Sequence, residues 1–222
     1  MSEALTGEDL APYGWNGHAP EDWAPDLAAI KRAAAEPEIL PLLSARWSPR
    51  AFADVDLSLD DLAPVFEAAR WAPSANNQQP WVFVAASRSE DPEGFERLAN
   101  CLLPGNRRWA PRAPVLMLAA ARTLRPDGKP IGTALYDLGL AVGMMTVQAT
   151  AEGLWLHQMA GFDAGVATGT LSLPEDVQPV AMIAIGPIGD AAELPEDLRG
   201  REISARERHP RDAFVHRGRF GG

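Results

Sequence analysis

The stretch Pro73-Ser74-Ala75-Asn76-Asn77-Gln78-Gln79-Pro80-Trp81 sets four side-chain amides in a row between two prolines. Each amide offers a donor and an acceptor, a set suited to the edge of a heteroaromatic ring. The same residues also fit a plain connector built from turn formers. The flanks give the fold its first unit. Upstream, Leu62, Val65, Phe66 and Ala69 recur at i, i+3, i+4 and i+7, the apolar face of a helix. That helix starts near Asp60 or Asp61 and stops before Pro73; with Asp61 as N-cap, Pro64 is tolerated in the first turn. Downstream, residues 81–86 are apolar and partly β-branched and read as a strand.

Working outward, residues 93–103 read as a helix and 114–121 as a second buried strand. A long helix spans 132–152, with Gly153 as its stop. A short strand follows over 154–159, a helix over 164–171 with Pro174 beyond it, and a strong strand over 180–186. Before the first unit, 28–35 is a short Ala-rich helix stopped by Pro37, and 1–25 is an irregular arm. Tyr13, Trp15 and Trp23 equip that arm to pack on the protein surface or to cap a pocket. After Pro187 the chain is polar, and seven of its 18 arginines fall in 199–219. Strands separated by helices imply a layered mixed α/β domain of the α+β kind. The expected division is an arm and short helix over 1–40, then one domain over 41–222. Its tail, 187–222, has no core of its own and is expected to lie against a second subunit.

Bulk properties exclude several function classes. The 222 residues carry a net charge of −10, so there is no global attraction for nucleic acid or an anionic membrane. An anionic ligand would need a local cluster of positive charge. The single cysteine, Cys101, rules out an internal disulfide, and no Cys/His spacing suggests a metal site. A reducing cytoplasm is the expected compartment. Residues 1–10 are acidic and do not read as a signal peptide. The longest apolar stretch, 131–156, holds Tyr136, Asp137, Gln148 and Glu152 and is broken by four glycines, so it reads as helix then strand rather than a membrane span. G-x-G-x-x-G after a strand, G-x-x-x-x-G-K-[ST], H-E-x-x-H and G-x-S-x-G are all absent. The four histidines are scattered and read as surface or packing residues.

Two basic segments remain. In Arg46-Trp47-Ser48-Pro49-Arg50, an extended backbone would point 46, 48 and 50 to one side. Two guanidinium groups and a hydroxyl would then grip a phosphate; a solvated basic turn is the other reading. In Arg206-Glu207-Arg208-His209-Pro210, the two arginines share a side if the segment is extended. A disordered basic tail has the same composition. Gly139 and Gly143, four apart on the long helix, permit close backbone approach, either to a second subunit or within the protomer.

Taken in order, R-x-S-x-R, then P-S-x-x-N-x-Q-P-W, Asn106, Ala160-Gly161-Phe162-Asp163 and Arg206-x-Arg208-x-Pro210 resemble the nitroreductase family over residues 40–216. The resemblance implies a central, mostly antiparallel sheet flanked by helices, in a domain-swapped homodimer with FMN at the subunit interface. It implies that Arg46, Trp47, Ser48 and Arg50 hold the FMN phosphate and ribityl chain, joined by Arg206 and Arg208. Asn106 would meet the pyrimidine edge, and a backbone N–H of Ala160 or Gly161 would approach flavin N5. Pro73, Ser74, Ala75 and Asn77 would approach the partner's flavin. The implied activity is ping-pong hydride transfer from NAD(P)H through FMN to a small acceptor such as a nitroaromatic or quinone. The flavin carries the chemistry, so no side-chain nucleophile is expected. Within the same superfamily, dehalogenation, flavin fragmentation and enone reduction are alternatives; a flavin-storage protein or a flavin-free interaction protein are others. Two positions depart from the pattern. Many relatives have Glu where Ala160 stands, and some have Lys where Trp109 stands.

Overall fold

The computed structural model describes residues 25–221; the arm expected over 1–25, with Tyr13, Trp15 and Trp23, lies almost wholly outside them. Four strands form one antiparallel sheet: β1 (Trp81–Ser87), β2 (Val115–Arg122), β3 (Trp155–Met159) and β4 (Val177–Gly186), in the order β1-β2-β4-β3. Side chains alternate faces along a strand, yet β2 is apolar on both faces and buried from Val115 to Ala121. Such a strand belongs at the centre of a sheet covered on both sides. On one face, Leu116, Leu118 and Ala120 pack with Met182, Ala184, Phe95, Leu98 and Trp109. On the other, Val115, Met117 and Ala119 pack with Ile183, Ile185, Leu62, Val65, Leu138 and Met145. The first face is covered by α4 (Pro92–Asn100), the second by α3 (Ala63–Arg70) and α6 (Ala134–Ala151). This is the expected α+β fold, an antiparallel sheet flanked by helices. The β2–β4 register slips between Ala119 and Ala120, opposite Pro179, which has no N–H to give the ladder.

Some boundaries differ from the sequence reading, each for a local reason. α1 runs over Pro25–Lys31 rather than 28–35. The N–H of Ala33 bonds the carbonyl of Ser44 at 3.0 Å, drawing the chain toward α2 (Pro41–Ala45) instead of into another turn. Asp61 is not the N-cap of α3; Leu62 is. The Asp61 carboxylate accepts from the N–H and hydroxyl of Ser58 at 2.9 and 2.7 Å. The helix expected over 93–103 is present but ends three residues early, and a second, short helix follows outside that range. α4 ends at Asn100, and α5 (Pro104–Arg107) begins after Leu103, whose ψ of 156° is the extended backbone that a following proline favours. The tail is also partly built into the domain. α8 (Glu196–Ile203) and the preceding turn bury Leu198 and Leu194 in the first core layer. The remaining helix, α7 (Ala164–Thr170), is capped by Asp163, which accepts the N–H of Val166 at 2.9 Å.

Among the described residues, α6 is covered on one side only. Leu135, Tyr136 and Met144 are exposed. Among the described residues, a Cβ built at Gly139 or Gly143 would have no neighbouring atom within 4 Å, so the two glycines do not serve close packing against any of them. No helix among the described residues is long and apolar enough to cross a membrane.

Candidate functional site

The segment after α2 is extended from Arg46, where φ and ψ are −61° and 128°. Its burial alternates: Trp47 and Pro49 turn inward, while Arg46, Ser48 and Arg50 are only partly covered. The period-two geometry expected for 46, 48 and 50 is therefore present. Several long-range contacts fix this strand. The carbonyl of Pro49 lies 2.7 Å from His157 Nδ1 on β3. The N–H groups of Arg50 and Ala51 donate to Glu202 Oε1 at 2.7 and 2.9 Å. The Ala51 carbonyl accepts from Gly189 at 3.0 Å, and Ala53 donates to Pro187 at 3.0 Å. Gly189 is required for that approach, since a Cβ there would stand 2.4 Å from the backbone carbon of Phe52.

The exposed side of the strand lines a pocket of about 250 Å³. Lys31, Arg46, Ser48, Arg50, Arg206 and Arg208 border it, with Trp47, Arg201, Ser204 and Ala205. Both basic segments thus converge on one cavity, although they lie at opposite ends of the chain. A wider, solvent-open groove of about 1160 Å³ adjoins it, sharing Arg46, Arg206 and Arg208 and walled by Ile39, Leu43 and Phe214.

The cradle is a concentration of like charge. Arg206 donates to the carbonyls of Arg46 and Ser44, the latter at 2.5 Å. Burial, then repulsion from Arg46 and Arg208, pulls Arg206 down to about 10. Arg46 is lowered by burial and by Arg208, and Arg50 by burial, partly offset by Glu202. Lys31 is lowered mainly by burial; its ammonium donates to the Ser204 carbonyl at 2.7 Å and lies 4.5 Å above the Trp47 ring. A bound anion relieves the repulsion among these cations and supplies acceptors for their N–H groups. The cradle's charge and donors suit a phosphate or a carboxylate.

Asn106 and Gly161 form a second locus. Asn106 Nδ2 donates to the Gly161 carbonyl at 3.0 Å, and Leu103 N–H donates to the same oxygen at 3.1 Å. Ala160 beside it is exposed. Trp109 is buried (1%) and links this locus to the cradle: its N–H bonds the Asn106 carbonyl at 3.1 Å, its ring lies 4.6 Å from that of His157, and the Arg50 guanidinium sits 5.8 Å above it. Trp109 therefore supports the arginine strand from beneath. Burial drives His157 down to about 4, so its ring is neutral at pH 7.

Pro73, Ser74, Ala75 and Asn77 do not line the cradle. They form a tight turn in which Asn76, Asn77 and Gln79 have φ of 51°, 54° and 46°. Asparagine tolerates this left-handed region better than most residues, which explains part of the amide richness. Gln79 N–H bonds Ser74 Oγ at 3.0 Å. The Ala75 N–H is 3.3 Å from the buried carboxylate of Asp137 on α6, which also accepts from Thr133 Oγ1 at 2.9 Å.

Sequence reasoning missed Lys31, Asp137 and Glu202. Glu202 is fully buried and joins α8 to the cradle strand. A carboxylate amid the polar tail carries no local mark of burial.

Residues 43–110 match the sequence pattern of the Nitroreductase family. A protein of Archaeoglobus fulgidus named "Putative NADH dehydrogenase/NAD(P)H nitroreductase" is 38% identical over 153 residues, 67% of this chain and 84% of that protein. An uncharacterized 15.4 kDa protein of Mycolicibacterium smegmatis is 35% identical over 132 residues, 58% of this chain and 86% of that protein. A solved structure described as an oxidoreductase containing FMN shares 34% identity at a TM-score of 0.79, covering 86% of this chain and 96% of that one. With the fold, the order of motifs and these relatives in agreement, the chain belongs to the nitroreductase family.

Proposed function

We propose that the protein is an FMN-dependent oxidoreductase, acting as a homodimer, that passes hydride from NAD(P)H to a small organic acceptor such as a nitroaromatic or quinone. The observation that carries the reading is the convergence of Arg46, Arg50, Arg206 and Arg208 on one pocket in a chain of net charge −10. The residues present fit FMN. Partly buried arginines and the Ser48 hydroxyl match a dianionic phosphate in charge and in donor type.

Bound FMN would supply the hydride-accepting and hydride-donating chemistry. The chain's own residues bind and orient. Arg46, Ser48, Arg50 and Arg208 hold the phosphate end, with Trp47 as the floor of the strand. Arg206 spends donors on the Ser44 and Arg46 carbonyls, so its role is to shape the cradle and add charge. Asn106, its amide oriented by Gly161, would meet the pyrimidine edge, and an N–H of Ala160 or Gly161 would approach N5. Ala160 brings no carboxylate to that position, leaving orientation to the backbone. Donor and acceptor would occupy the same face in turn.

The exposed apolar side of α6, with Gly139 and Gly143, favours a partner copy there. Asp137 on that helix anchors the turn that holds Pro73, Ser74, Ala75 and Asn77, which supports their approach to the partner's flavin. The C-terminal tail beyond Pro210 would embrace the second subunit. The decisive experiment is reconstitution with FMN, then anaerobic mixing with NADH or NADPH. Fast, saturable bleaching of the flavin's visible band, reversed by a quinone, is expected. A protein that takes up FMN but is not reduced by either nucleotide would be a flavin store instead.

A further inference from the structure

Glu202 combines two features that the cradle's arginines do not explain. Oε1 fixes the Arg50 and Ala51 N–H groups at 2.7 and 2.9 Å. Oε2 is buried and without a hydrogen-bond partner among the described residues; it lies 4.0 Å from Arg50 Nη1. The charges facing this corner are Lys31 from α1, Arg46 and Arg50 from the cradle strand, Arg201 from α8, and Arg206 beyond it. His157, behind Pro49, is neutral across the ordinary pH range.

We propose that Glu202 is a positioning residue whose charge sets how sharply the cradle prefers phosphorylated over unphosphorylated flavin. Through Oε1 it holds the Arg50 strand in the geometry that aims Arg46, Ser48 and Arg50 together. Through Oε2, when ionised, it takes up part of the field of Arg50 and Lys31 and opposes a second anion placed against them. A carboxylate here costs phosphate affinity while securing the shape of the site. The inference rests on the reading of the cradle as a flavin-phosphate site.

Burial raises the Glu202 carboxyl above its ordinary range, against the lowering effect of the two amides and of Arg50 and Lys31. A phosphate arriving beside it disfavours the ionised form further. FMN binding is then coupled to proton uptake by Glu202, and riboflavin binding is not.

The test uses full-length apoprotein titrated with FMN and with riboflavin, read by flavin fluorescence. Glu202→Gln keeps an oxygen for both amides and removes the charge. It is expected to bind FMN about fivefold more tightly at about pH 8, with riboflavin unchanged. The gain should shrink as pH falls and the wild-type carboxyl takes up a proton. Glu202→Ala loses the anchor as well and should bind FMN more weakly than Glu202→Gln. A FMN-to-riboflavin preference identical in wild type and Glu202→Gln at every pH would overturn the proposal. If Glu202→Gln does not fold, calorimetry of the wild type in buffers of different ionisation enthalpy decides. At about pH 7.5, where the free phosphate is already nearly all dianionic, proton uptake with FMN but not with riboflavin supports the proposal, and no difference between them ends it. Failure of the wild type to bind either flavin would instead remove the cofactor reading, so the two failures are distinguishable.

Discussion

Asn106 Nδ2 donates to the carbonyl of Gly161 at 3.0 Å, and a methyl group added at Gly161 would stand 2.6 Å from that same nitrogen. Backbone and amide are mutually fitted. Gly161→Ala must therefore swing Asn106 away. The displaced atom ends a flexible side chain, so the stability cost should sit at the low end of the overpacking range, about 1 kcal/mol. The flavin environment should change more than stability does, with a shifted visible spectrum and a kcat/KM lowered at least several-fold. Asn106→Ala should act in the same direction. Full turnover and an unshifted spectrum in both variants would remove this locus from the active site.

Arg206 and Arg208 are two residues apart yet should fail differently. Arg208 is exposed and its described bond is to the neighbouring Glu207 carbonyl. Arg208→Ala, alone or with Arg46→Ala, should weaken FMN binding, with about 1.5–3 kcal/mol for each charge-assisted bond lost, and leave the melting temperature nearly unchanged. Arg206→Ala strips donors from the Ser44 and Arg46 carbonyls. It should cost about 2 kcal/mol of folding stability even without flavin, after allowance for partial exposure. Denaturant unfolding of the apoproteins separates the two; equal stability losses would contradict the assignment.

What could be read from the sequence, and what could not, follows from distance along the chain. The alternation of 46, 48 and 50 is local and is present in the structure, as is the alternation of strand and helix. Pro104 is also a local signal, yet the expected helix over 93–103 ran up to it, where the pre-proline Leu103 is extended. The early end of α1 depends on Ser44, eleven residues away, and no propensity records it. Glu202 reaches Arg50 across 152 residues, and Lys31 reaches Ser204 across 173. Asp137 reaches Ala75 across 62. These charged residues sit in unremarkable polar or helical contexts, and only the folded chain shows that they are buried.

Acid should loosen the cradle through His157. Its pKa is about 4 in the fold against 6.5 for the free side chain, because burial disfavours the charged ring. Between those values the unfolded chain binds the extra proton, so stability rises with pH there. The contribution is complete above about pH 6.5 and is lost as pH falls toward 4, up to about 3 kcal/mol. His157→Gln removes the titration and should flatten the dependence of the urea midpoint on pH in that window. An unchanged slope would mean that the acid sensitivity lies elsewhere.

The two glycines of α6 give the dimer a test whose sign differs between the hypotheses. Glycine inside a helix costs about 1 kcal/mol relative to alanine. No atom of the described residues lies within 4 Å of a Cβ built at Gly139 or Gly143. In an isolated protomer, Gly143→Leu should therefore stabilise the fold by several tenths of a kcal/mol, at no steric cost. If the exposed Leu135, Tyr136 and Met144 surround a helix of a second copy, the same substitution forces the backbones apart and weakens association. Sedimentation equilibrium should show the wild type as a dimer and Gly143→Leu shifted toward monomer, with flavin lost as the partner's turn at Pro73–Asn77 withdraws. A monomeric wild type, or a Gly143→Leu dimer more stable than the wild type, would place the subunit contact on another face.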